Sequence, residues 1–136
     1  EILSEVTKYK FKWLGISVFS YEQIEIAQRI GEKFPNVVYG GSGVSKNWGN
    51  KNYIVGEGEY ALIEFLKGNY NYPGINGLDP KQIDDLNSLP APDYSDVLGN
   101  GYKNYTISGS RGCVRNCTFC DVANICLSRG FFCKFV

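Results

Sequence analysis

The chain has 136 residues, enough to bury a modest core, and its 14 basic and 14 acidic side chains cancel. That balance removes the electrostatic footprint of a general nucleic-acid binder, and no run approaches the roughly 20 apolar residues that span a bilayer. With no histidine, a Ser-His-Asp or Cys-His catalytic unit and any imidazole metal ligand are excluded within the chain.

The N-terminus, Glu1-Ile2-Leu3-Ser4-Glu5, lacks the basic and apolar run of a secretory signal, so a soluble cytoplasmic protein is expected. No methionine occurs anywhere, and Glu1 in the first position is what a fragment or a processed chain is expected to show.

Phe11 to Phe19 is a short apolar run rich in β-formers and reads as a buried strand. Ser20, with Gln23 three residues on, predicts a capping box and a helix start. Ile24, Ala27, Ile30 and Phe34 recur at helical spacing and give that helix one apolar face, although Gly31 weakens its last turn. Pro35 stops it. Asn36 to Tyr39 predicts a second strand running into Gly40-Gly41-Ser42-Gly43. After a polar loop, Tyr53-Ile54-Val55 predicts a third, ending in Gly56-Glu57-Gly58-Glu59. A second helix follows, with Tyr60, Leu62, Phe65 and Leu66 apolar, closing at Gly68.

Continuous apolar strands alternating with helices predict an α/β layered domain with a mostly parallel sheet. Ligands of such sheets bind outside the carboxyl ends of the strands, where both glycine turns fall. Three strands are few for a doubly wound sheet, and the N-terminal half of the domain is expected to lie outside this sequence. From Asn69 to Asn100, Asn, Gly, Pro, Asp and Tyr dominate. The segment reads as a connection with one helical turn at Lys81–Leu86 and a tyrosine-rich packing surface. Lys103 to Ser108 then predicts a strand leading into Gly109-Ser110-Arg111-Gly112-Cys113.

Three of the five cysteines, Cys113, Cys117 and Cys120, fall in a C-x3-C-x2-C run. A secreted disulfide framework spreads an even set along the chain; clustered thiols point to metal. Ferredoxin-type clusters use four cysteines, and structural zinc likewise wants four ligands. Three thiolates leave one position of an iron–sulfur cube open, the arrangement of a reactive centre. Cys126 and Cys133 fit no trusted spacing and read as free thiols. Arg111 and Arg115 serve either as partners of an anionic centre or as solvated loop residues.

The run Cys113-Val-Arg-Asn-Cys117-Thr-Phe119-Cys120 resembles the signature of radical S-adenosylmethionine enzymes. Val37 to Gly41, Gly56 to Glu59, Leu86 to Tyr94 and Ser110 to Cys113 resemble, in the same order, the subgroup with an N-terminal cobalamin-binding-like Rossmann domain. The likeness covers roughly residues 11–122. It implies a partial Rossmann-like parallel sheet over 1–69, an interdomain linker over 70–101, and the first strand and cluster loop of a (β/α) barrel over 102–136. It further implies a [4Fe–4S] cluster on Cys113, Cys117 and Cys120, with S-adenosylmethionine on the fourth iron and Phe119 beside its adenine. Reductive cleavage to a 5′-deoxyadenosyl radical is the implied activity, with a flavodoxin- or ferredoxin-type reductant. Methyl transfer and ring formation are among the subgroup's reactions. Ser17, Gly40, Gly41, Gly56 and Glu57 would line a corrinoid site, and the two glycine turns read equally well as turn chemistry alone. The cobalt-ligating histidine motif of cobalamin domains is absent, so cobalamin binding stays open. After Ala123 the likeness fades, and 124–136 either stops short or follows a shifted reading frame. The alternative is a non-catalytic α/β module for a nucleotide or corrinoid with a zinc-bound cysteine knuckle.

Overall fold

A computed structural model describes residues 2–49, 52–98, 100–101, 104, 106, 109–113, 115, 117–120 and 134–135. They fall into two compact units, Glu1–Gln82 and Ile83–Val136.

In the first unit a short helix α1 (Ile2–Val6) precedes strand β1 (Leu14–Ser17), helix α2 (Gln23–Gly31), strand β2 (Val37–Gly40) and helix α3 (Gly58–Leu66). β1 and β2 pair in parallel, from Leu14 opposite Val37 to Ser17 opposite Gly40. The small α/β fold is therefore built on a two-stranded parallel sheet. The third strand expected at Tyr53–Val55 is reduced to bridges. Tyr53 lies parallel to Tyr39, and Ile54 lies antiparallel to Ile75. Asn52 at φ 66° and Gly56 at φ 88° bracket the stretch and stop it from lengthening. Ile75 is fully buried, so part of the proline-rich segment after α3 extends the sheet.

Strand alternation sends the apolar residues to two cores. Val18, Val37, Tyr39, Tyr53 and Val55 pack with Ala27 of α2, flanked by Ile24 and Phe34. Val38, Ile54 and Ile75 pack on the other face with Ala61 and Phe65 of α3. Trp13 meets the Phe65 ring edge-on at 4.9 Å. Val44 and Trp48, in the loop read as polar, are buried in the first core.

The capping box expected at Ser20 and Gln23 does not form, and the N-cap residue of α2 is Glu22. Gln23 Oε1 accepts the Phe19 N–H at 2.8 Å, but Ser20 gives its hydroxyl to the Glu22 carboxylate, holding that acid below its usual range, and α2 starts at Gln23. α3 ends as the glycine at 68 foretells. Gly68, at φ 87°, donates to the Phe65 carbonyl and Asn69 to that of Glu64, both at 2.9 Å, a Schellman closure. The buried side of α3 is narrower than the apolar pattern suggests. Ala61 and Phe65 are buried, whereas Tyr60, Leu62 and Leu66 are exposed.

In the second unit, a single 3-10 turn (Leu86–Ser88) is capped by Asp85, whose carboxylate accepts the Asn87 N–H at 2.9 Å. The helical turn expected at Lys81–Leu86 thus starts only at Leu86, because Asp85 is the better cap. Strand β3 (Ser110–Arg111) pairs antiparallel with β4 (Lys134–Phe135). Of the strand predicted at Lys103–Ser108, only Asn104 and Thr106 are among the described residues.

Candidate metal-binding loop and sheet-end turn

Two groups of candidate residues lie in different units. The first occupies the carboxyl ends of the strands. β1 and β2 bring Ser17 opposite Gly40, with Gly41 next in line. Gly41 takes φ 100°, and a Cβ there would sit 2.4 Å from the Val18 carbonyl oxygen and 3.1 Å from Ser17 Oγ. Gly43 is packed somewhat less closely: its N–H donates to the Val18 carbonyl at 2.8 Å, and a Cβ would lie 2.9 Å from Val18 Cγ1. The Ser42 hydroxyl donates to the Phe19 carbonyl at 3.0 Å. Gly41 and Gly43 are thus required by the fold itself, because the turn lies directly on the β1 backbone. Gly40 differs. A Cβ there would meet no atom within 4 Å, and its φ is not positive, so nothing in the packing demands glycine.

Gly56 and Glu57 follow the Tyr53–Val55 stretch at the same end of the sheet, because that stretch runs parallel to β2. Glu57 is the extended N-cap residue of α3, and its side chain does not cap the helix. Glu59 lies in the first turn, where its charge suits the helix dipole.

The second group is the cysteine loop, which follows β3. Gly112, at φ 85°, turns the chain immediately before Cys113. Cys113 Sγ accepts the Arg115 backbone N–H at 3.4 Å. Cys117 and Cys120 close a tight turn, with the Cys120 N–H donating to the Cys117 carbonyl at 3.1 Å. All three cysteines are free thiols and half-buried, while the Phe119 ring is 89% exposed. The Arg115 N–H is a contact that residue type alone does not signal, since any residue two beyond a turning cysteine supplies it. Upstream, the Tyr94 hydroxyl donates to the Thr106 carbonyl. Asp93 accepts the Ser95 N–H at 2.9 Å, which with the Ser95 hydroxyl holds its carboxyl below the usual range. Cys126 and Cys133 lie outside the described residues.

As a donor set, three free thiols after a left-handed glycine fit a soft metal or an iron–sulfur centre. Among the described residues, however, no three Cys, His, Asp or Glu side chains stand close enough together to hold a metal ion. The turn unites Cys117 and Cys120, and Cys113 directs its sulfur toward its own following residues.

No helix among the described residues is long and apolar enough to cross a membrane. Compared with protein-family models, curated proteins and solved structures, the chain matches none.

Proposed function

We propose that the chain carries the cluster loop of a radical S-adenosylmethionine enzyme, with Cys113, Cys117 and Cys120 as ligands of a [4Fe–4S] cluster. The observation that carries this reading is the C-x3-C-x2-C run as three free thiols in a loop opened by a left-handed glycine. When bound, the cluster and S-adenosylmethionine supply reductive cleavage to a 5′-deoxyadenosyl radical, fed by a flavodoxin- or ferredoxin-type reductant. The chain's own residues hold the site. The three sulfurs supply the ligands, and the Arg115 N–H donates to Cys113 Sγ. The exposed Phe119 ring stands next to the last ligand, where an adenine would lie. In the first unit the ends of β1 and β2, with Ser17 and Gly40 foremost, offer a surface for a corrinoid, with Gly56 and Glu57 at the end of the adjoining stretch. The reaction class this reading supports is methyl transfer or a related C–H functionalisation, and the setting is cytoplasmic.

Anaerobic reconstitution with iron and sulfide tests the reading. One cluster per chain is expected, with iron and acid-labile sulfide lost when Cys113, Cys117 or Cys120 is replaced by Ala. Stoichiometric zinc without labile sulfide would instead identify a zinc-bound cysteine knuckle.

A further inference from the structure

The two halves of the cysteine loop are unequally prepared for redox chemistry. The bond from the Cys120 N–H to the Cys117 carbonyl, 3.1 Å long, closes a four-residue turn through Thr118 and Phe119. Such a turn brings its end Cα atoms within about 7 Å. A disulfide spans Cα separations of about 4.4–6.8 Å, so this turn needs little or no adjustment to accept one. Both residues are half-buried rather than enclosed in a core, and the intervening Phe119 ring projects away into solvent. Cys113 is placed differently. Its sulfur is turned back on the Arg115 N–H, and among the described residues no backbone bond links it to either of the other two.

We propose that in the metal-free chain Cys117 and Cys120 form a reversible disulfide while Cys113 stays reduced, so that the loop carries a redox lock. The oxidant is a low-molecular-weight disulfide such as oxidised glutathione. One protein thiol, after losing its proton, attacks the small disulfide, whose S–S bond breaks to give a mixed disulfide and one small thiol. The second protein sulfur, also deprotonated, then attacks the protein-bound sulfur, closing the Cys117–Cys120 bond and releasing the second small thiol. The protein loses two electrons and two protons, and the small disulfide gains both. A dithiol reverses the sequence. The pairing rests on the turn alone. Its consequence, that two of three ligands are withdrawn and iron loading is blocked, rests on the proposed cluster function.

The test uses the full metal-free chain. It is equilibrated anaerobically with oxidised and reduced glutathione at graded ratios, quenched with acid, alkylated, and mapped by peptide mass spectrometry. The expected result is loss of two thiols, with the Cys117–Cys120 disulfide as the main product and Cys113 alkylated. Cys113→Ala keeps the disulfide, and Cys120→Ala abolishes it. Iron uptake by the oxidised chain falls several-fold and returns after dithiothreitol. A main product that pairs Cys113, or three cysteines that stay reduced at every ratio, overturns the proposal. If the Cys117–Cys120 disulfide forms but the reduced chain takes up no iron, the pairing stands and the cluster reading falls.

Discussion

The hydroxyl of Tyr39 lies so close to the backbone of Gly31 that a Cβ added there would sit 1.7 Å from Oη and 2.7 Å from Cζ. Gly31 closes α2 and Tyr39 is central in β2, so this contact sets how closely the helix lies on the sheet. Gly31→Ala carries two opposed effects. Helix propensity favours alanine by about 0.5–1 kcal/mol. Overpacking against a buried ring costs about 1–3 kcal/mol. Steric cost prevails, and the urea midpoint falls. Adding Tyr39→Phe restores part of the loss, because removing Oη still leaves Cζ in the way. A Gly31→Ala protein that is more stable than wild type would refute this packing.

Burial of Tyr39, helped by the Glu32 charge, raises its phenol above the usual 10.0. Below that value both folded and unfolded chains hold the proton, and the contribution to stability is complete. As pH climbs past it the unfolded chain ionises first, so stability falls with rising pH until the folded phenol ionises too. Urea unfolding between about pH 9 and 11 is expected to show this alkaline decline in wild type and a shallower one in Tyr39→Phe.

Neighbouring glycines at the end of β2 separate turn chemistry from ligand contact. Gly41→Ala forces a Cβ onto the Val18 carbonyl oxygen at positive φ and is expected to destabilise by about 1–3 kcal/mol. Gly40→Ala meets open space and leaves the melting temperature nearly unchanged. If a ligand approaches this edge, Gly40→Ala weakens its binding while the fold stays intact, read by thermal melts alongside a corrinoid titration.

Glu64 is held below its ordinary 4.5 by hydrogen bonds first from the Lys67 ammonium, 2.8 Å away, and then from the Asn69 amide. Its contribution is present above that ordinary value and disappears as pH falls through the lowered one. The Glu64 side chain is half-buried but its Lys67 partner lies largely in solvent, so water screens the pair and the effect is small. Glu64→Gln is expected to flatten the acid side of the stability curve and change little at neutral pH, as chemical denaturation at several pH values will show.

How far the sequence revealed these relationships depends on which force sets each one. Val37 to Tyr39 form an unbroken apolar run, and burial from both sides makes such a run a strand regardless of neighbours. The α2 face announced itself through Ile24 and Ala27, and Gly68 ended α3 where a left-handed residue was needed. Val44, Trp48 and Ile75 gave no periodic signal. They sit in irregular loops, where tertiary packing rather than pattern selects the core. Gly31 looked like a flaw in a helix and is instead a point of close approach, visible only once Tyr39 is placed beside it. In the cysteine loop, spacing picked out the candidate donors of the proposed cluster but not how far each sulfur is from the others. Metal would supply the energy of that convergence, and a pattern of letters carries no trace of it.

The position of β2 between β1 and the Tyr53–Ile54 stretch has a consequence for amide hydrogen exchange. Tyr39 both donates to the Asn52 carbonyl, at 2.9 Å, and accepts from Ile54, at 2.8 Å, inside the sheet. Those two protons leave only when the first unit opens as a whole, and their exchange rate reports its global stability. Along β1, the amides of Leu14 and Val18 bond toward β2, so those of Gly15 and Ser17 face the outer edge and exchange on the timescale of open chain. Deuterium therefore enters this sheet from one side and reaches its middle last.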